Sequence, residues 1–225
     1  MINKRDHFIL KQNFKRKNCK DVYNAFLVKN ARYDGIYDFP IINSCNFKPD
    51  KLIKFSKCLS STDYECWIHF YEDDYLFQRF WNSPPKYLNI IKKFKGVILP
   101  DFSLYRDMPY VMQLWNIYKS RALGSWLQSN GINVIPNIRF GDERTYDICC
   151  NGIMKKSIIS IGTYGTYKNV LDRNVLIKGI LRIIDNLEPK IIIFYGTIPS
   201  QIKNKCIFNN IEMIEFKPNF YIKGV

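Results

Sequence analysis

Three acids close one apolar run of this chain, and a single aspartate closes another. Trp67–Tyr71 leads into Glu72-Asp73-Asp74, and Val97-Ile98-Leu99-Pro100 leads into Asp101, with Ser103 and Tyr105 just beyond. A third run, Ile132–Pro136, opens onto Asn137, Arg139 and Asp142. Carboxylates that arrive from separate strand ends can divide acid and base roles, or hold Mg²⁺ or Mn²⁺ between them. The candidate catalytic residues are therefore Asp101, Asp73, Asp74, Asn137 and Asp142, with Asp101 as metal ligand or general base and Asn137 as an orienting group. Arg139 has the planar fork that clamps a phosphate or carboxylate. Ser103, Tyr105, Thr163, Tyr164, Tyr195 and Gly196 lie at neighbouring run ends and are candidate substrate contacts. Each acid also has an ordinary reading: Asp101 as a turn residue, Asp73 and Asp74 as a solvated loop start, Asp142 as a helix cap, and Arg139 as their structural ion-pair partner.

Such a rim needs elements that bring the runs side by side. The apolar runs read as strands at Ile36–Asn43, Cys66–Asp74, Gly96–Asp101, Ile132–Phe140, Ser157–Gly165, Lys190–Gly196 and Ile211–Phe216. Helical spacing fills three gaps: a stretch broken at Pro84-Pro85, a long helix after Asp107 and Pro109 that stops at Asn130-Gly131, and a helix ended by Pro189. Strand ends recur every 25 to 36 residues, the length of a βαβ unit. Continuous rather than alternating apolar strands predict a parallel sheet covered on both faces. The expected architecture is α/β: a small or incomplete (βα) barrel of the TIM type, ahead of a doubly wound open parallel sheet. Asp142–Ser157 is expected to hold a short helix, although Asn151-Gly152 also suits a hairpin.

Several chemistries lack their residues. His7 and His69 are the only histidines, so neither a His-based zinc site nor a Ser-His-Asp triad can be assembled. His69 lies mid-strand and reads as a core residue. No Walker loop exists, and Gly162–Lys168 ("GTYGTYK") is no phosphate-binding fingerprint, although its backbone could approach a phosphate with help from Thr163 and Lys168. Tyr118 and Arg121 have the spacing of a nicking tyrosine with its cation, but Tyr118 shares a helix stripe with Leu114 and Trp115, which favours core packing.

Composition bounds the partners. The 225 residues carry a net charge of +14, and seven Lys/Arg stand against Asp6 alone in residues 1–20. A basic N-terminal segment, 1–20, therefore precedes a single α/β domain, 21–225. Its Lys15, Arg16 and Lys17, together with Lys92 and Lys93, are candidate phosphate contacts, so the expected partner is nucleic acid or a nucleotide. Seven cysteines without a Cys-x-x-Cys argue for reduced thiols, and no apolar stretch reaches the ~20 residues of a membrane helix. A soluble, cytoplasmic protein is the expectation.

The strings "HFYEDD", "GVILPDFSLY", "INVIPNIRFGD" and "SIISIGTYG" resemble a family of uncharacterised proteins of bacteria, their phages and other mobile elements, a domain of unknown function. The resemblance covers roughly 66–200. It implies a mobile-element setting and brings no established activity. Two readings follow: an enzyme with a carboxylate-lined rim acting on nucleic acid or nucleotides, or a non-catalytic nucleic-acid-binding or replication-accessory protein.

Overall fold

The computed structural model describes residues 21–165 and 170–218. The fold is α/β with parallel sheets. A small antiparallel hairpin, β1 (Tyr33–Asp34) and β2 (Phe39–Pro40), precedes seven parallel strands: β3 (Leu52–Lys54), β4 (Trp67–His69), β5 (Gly96–Ile98), β6 (Val134–Ile135), β7 (Ile158–Gly162), β8 (Ile191–Tyr195) and β9 (Glu212–Phe216). The first four form one sheet in the order β3-β4-β5-β6 and the last three another, β7-β8-β9. Within each sheet the strands lie in chain order, without the reversal that defines a doubly wound sheet.

The two sheets meet at one point. Asn137 and Ser160 form a parallel bridge, with Ile138 N–H donating to the Ser160 carbonyl at 2.9 Å and Ser160 N–H to the Pro136 carbonyl at 2.9 Å. The set does not close: among the described residues β9 and β3 are not paired. An exposed ion pair, Lys48–Glu212 at 2.8 Å, crosses the gap where these strands begin.

Alternation along the strands sorts the side chains into two cores. Val97, Ile159, Ile161, Ile192 and Phe194 join the larger cluster under the helices, whereas Trp67, Ile98, Ile135, Ile158 and Ile193 pack together inside the curve of the strands. Leu52 of β3 and Ile214 and Phe216 of β9 pack against that inner cluster, so both outermost strands face one interior. Gly96 makes room for it, since a Cβ there would sit 2.4 Å from the Trp67 ring.

Helices α2 (Asp74–Asn82) and α3 (Pro84–Ile91) connect β4 to β5, α4 (Tyr110–Ser129) connects β5 to β6, and α5 (Val170–Leu187) connects β7 to β8; a one-turn α1 (Phe55–Cys58) follows β3. Gly131, at φ +80°, ends α4 as expected. Two short 3₁₀ turns, Glu143–Thr145 and Ile148–Cys150, occupy the β6–β7 connection, which excludes the hairpin.

The elements differ from the sequence expectation in three places. Ile36–Asn43 is no strand of the main sheet: Gly35 and Asp38, both at positive φ, fold it into the β1–β2 hairpin, and Ile42 makes only an isolated bridge to Ile153. The true first strand is Leu52–Lys54, three residues of which the last is a lysine, too short for its apolar pattern to register. Helix α6 (Ser200–Phe208), between β8 and β9, was also unforeseen. The Tyr118–Arg121 pair is structural. Tyr118 stacks on Trp115, and Arg121 is 1% exposed, donating to the carbonyls of Cys149 (2.7 Å), Asn137 (3.2 Å) and Asn151 (3.3 Å). No described helix is long and apolar enough to cross a membrane.

Candidate active site at the joint of the two sheets

The bridge between the sheets is also where the polar side chains converge. Counting by twos from the inner core leads from Trp67 to His69 to Tyr71, from Ile135 to Asn137 to Arg139, and from Ile158 to Ser160 to Gly162. The interior is therefore apolar at one end and polar at the other, where the strands finish.

Asp101 stands at that polar end. Its Oδ1 accepts from the Asn137 amide at 2.7 Å, and its Oδ2 faces Arg139 at 3.5 Å. Asn137 Oδ1 accepts from the Tyr71 hydroxyl at 2.9 Å, which is itself 2.6 Å from Ser160 Oγ. Amide and carboxylate chemistry gives this chain a fixed sense: Tyr71 donates to Asn137, and Asn137 donates to Asp101. Gly162 is required beside it, because a Cβ would lie 2.9 Å from the Tyr71 ring. Arg121, through the Asn137 carbonyl, fixes the backbone of the same strand end.

Burial sets the electrostatics. The Asp101 side chain is 14% exposed, and desolvation raises its carboxyl above the usual range; Arg139 and the Asn137 hydrogen bond oppose the rise, and Asp74 adds to it. The Tyr71 hydroxyl is pushed well up by burial and remains a donor. His69, 3% exposed, is driven down to about 3 by desolvation and then by Lys54. It is neutral, its Nδ1 accepting from Tyr71 N–H at 3.1 Å.

The structure places the other candidates unequally. Asp73, Asp74, Asp101, Ser103, Tyr105, Arg139, Tyr164 and Tyr195 all line one cleft of about 710 Å³ over the strand ends. Within it Asp74 is occupied by Ser103, through its backbone N–H (3.1 Å) and hydroxyl (2.8 Å), while Asp73 is exposed at the start of α2. Asp142 is not gathered in. It caps the first 3₁₀ turn by accepting from Arg144 N–H at 2.9 Å, pairs with the Arg144 side chain at 2.6 Å, and its carboxyl is lowered chiefly by that arginine. Thr163 and Tyr164 donate their N–H groups to the Tyr195 carbonyl at 3.0 and 3.1 Å. Gly196, at φ +117°, allows that contact, since a Cβ would lie 2.7 Å from Thr163 Oγ1. Lys92 and Lys93 follow α3 just ahead of β5, at the end of the strands opposite Asp101. Lys15, Arg16, Lys17 and Lys168 lie outside the described residues.

Two members of the site, Tyr71 and Ser160, were not anticipated. The signal was available: a serine on the inward parity of "SIISIG", and a tyrosine two residues beyond an inward histidine. Among the described residues no three His, Cys, Asp or Glu side chains come together as a protein-built metal site requires. What the cleft offers is one desolvated, oriented carboxylate beside a guanidinium.

Two phage proteins are similar to part of the chain. The Gene 1 protein of Mycobacterium phage L5 is 37% identical over 131 residues, covering 58% of this chain and 57% of that protein. The Gene 1 protein of Mycobacterium phage D29 is 34% identical over 131 residues, covering 58% of this chain and 48% of its own length. The chain thus spans about half the length of these curated relatives. No solved structure matches. The model of the family described as Domain of unknown function (DUF4417) matches residues 31–217, both sheets and the joint between them included, and the chain belongs to that family.

Proposed function

We propose that this chain is an enzyme that hydrolyses phosphodiester or phosphoanhydride bonds of nucleic acid or nucleotides, on an open barrel whose reacting end is the Asp101 cleft. The observation that carries the reading is the state of Asp101: one oxygen held by Asn137, the other turned to the cleft beside Arg139, with burial raising its carboxyl. A carboxylate raised by burial is a stronger base than an ordinary aspartate, which favours proton abstraction. Asp101 takes a proton from an attacking water as the new O–P bond forms. The P–O bond to the leaving group then breaks, and the leaving oxygen regains a proton from Asp101 or solvent. Arg139 offsets the charge on the phosphoryl oxygens. A Mg²⁺ or Mn²⁺ ion in this cleft would draw on Asp101 together with phosphate oxygens of the substrate, the usual arrangement for such ions. Exposed Tyr75, Tyr105 and Tyr164 around the cleft supply faces on which unpaired bases stack. The phage relatives and the net charge of +14 support this substrate class.

Labelled single- and double-stranded DNA and RNA, incubated with the protein in Mg²⁺, Mn²⁺ or EDTA, test it on a denaturing gel, with nucleoside triphosphates followed by phosphate release. Cleavage that falls about 10²–10⁴-fold in Asp101→Asn, with an unchanged circular-dichroism spectrum, supports the reading. No turnover of any substrate under any of these conditions overturns it. The second reading, nucleic-acid binding without chemistry, is favoured by a lysine-lined cavity between β3 and β9, and it predicts retention of every substrate intact.

A further inference from the structure

The gap between β3 and β9 is a cavity of about 930 Å³, larger than the cleft over Asp101. Lys51, Lys54, Lys57 and Lys217 line it, against Asp50 and Glu72. Lys51 is paired with Asp63, whereas Lys54, Lys57 and Lys217 have no carboxylate partner among the described residues. Glu72 is held within the wall by Ser56, accepting from its N–H at 2.9 Å and its Oγ at 2.5 Å, so the carboxylates number two against four lysines. Positive charge therefore prevails in a concave site. Leu52, Ile53, Leu76, Tyr195 and Phe216 make the apolar part of its wall, and the lysines supply the positive charge that a string of phosphates calls for.

The two cavities adjoin: Glu72 and Tyr195 line both. The Tyr195 ring is stacked between them, with ring centroids 4.6 Å from Tyr71 and 4.8 Å from His69. Each cavity alone has the volume of a complete small-ligand pocket, about 300–1,000 Å³. A mononucleotide would fill one and leave the other empty; a strand occupies both.

We infer that the open seam between β3 and β9 is a groove for the backbone phosphates of single-stranded nucleic acid, held by Lys54, Lys57 and Lys217, which leads the strand over Tyr195 to the Asp101 cleft. This rests on the Asp101 cleft as the site that receives the reacting nucleotide. It narrows the substrate from nucleotides in general to a strand.

Fluorescence anisotropy of labelled oligothymidylates of two, four, eight and twelve nucleotides tests it, using the full chain with Asp101→Asn so that no cleavage intervenes. Affinity is expected to rise with length. The triple variant Lys54→Glu/Lys57→Glu/Lys217→Glu is expected to lose at least tenfold for the twelve-mer, with the log–log salt slope reduced by about 2, since each phosphate contact on a single strand contributes ~0.7. The matched triple Lys29→Glu/Lys86→Glu/Lys178→Glu, on exposed positions away from the seam, controls for net charge and should bind nearly as the parent does. Equal weakening by both triples, an unchanged affinity in the seam triple, or no length dependence overturns the inference. Seam-dependent binding without cleavage by the wild type upholds the groove while the enzymatic reading fails; cleavage that is indifferent to the seam triple does the reverse.

Discussion

The joint between β6 and β7 and the seam between β3 and β9 are the two places where neighbouring strands lack a full ladder, and they are built in opposite ways. At the joint every polar group is spoken for: Ser160, Asn137, Tyr71 and Asp101 form one hydrogen-bonded chain, and Arg121 pins the Asn137 backbone from behind. At the seam the strands part, one exposed ion pair spans their starts, and lysines face a cavity. Desolvation is what separates the two. Inside the joint an unmet hydrogen bond costs about 1–3 kcal/mol, so side chains there are fixed. At the seam water meets the backbone, so charge can be stored for something else.

The contrast can be broken most sharply at Arg121. Arg121→Met leaves three carbonyls in and beside the core without this donor and is expected to cost about 3–5 kcal/mol in urea unfolding. A loss below 1 kcal/mol would mean the joint is not pinned from behind. His69 gives the next largest effect, through pH. Its folded pKa of about 3 lies below the ordinary 6.5, so the unfolded chain binds the extra proton, and the penalty grows as pH falls from 6.5 toward 3. Between pH 7 and 4.5 it should amount to about 2.5 kcal/mol, at ~1.4 kcal/mol per unit below 6.5. His69→Gln, which keeps an acceptor for Tyr71 N–H, should be less acid-sensitive by that amount; equal pH slopes for both proteins would contradict it. Tyr71→Phe removes one donor from the chain and should cost about 1 kcal/mol at neutral pH. The smallest effect belongs to the seam. Lys54→Gln/Lys57→Gln should shift stability by no more than about 0.5 kcal/mol, and a larger loss would show that these lysines hold the fold and are not free for a ligand.

Much of this was readable from the residues. Long, strongly apolar strands such as Ile191–Tyr195 and helices with clear stops, such as the one before Gly131, announce themselves because local pattern and tertiary burial agree. Leu52–Lys54 did not, because a three-residue edge strand has no room for a pattern. Ile36–Asn43 misled because apolar residues that pack on α4 from a hairpin look like a strand of the sheet. At the site, Asp101, Asn137 and Arg139 were legible from their place at run ends. Asp142 was misleading for the same reason, since a strand end and a helix cap both attract aspartate. Tyr71 and Ser160 were overlooked because their importance lies in parity across two sheets, and the pairing of those sheets is a long-range property.

The unpaired edges of β3 and β9 carry a second consequence, for the behaviour of many copies together. An exposed strand edge offers free N–H and C=O groups to any other chain, and edge lysines are a common safeguard against that pairing. Lys51, Lys54 and Lys217 stand along these two edges. Their mutual repulsion opposes the extension of one molecule's sheet by the next, which guards the open seam against becoming a nucleus for aggregation.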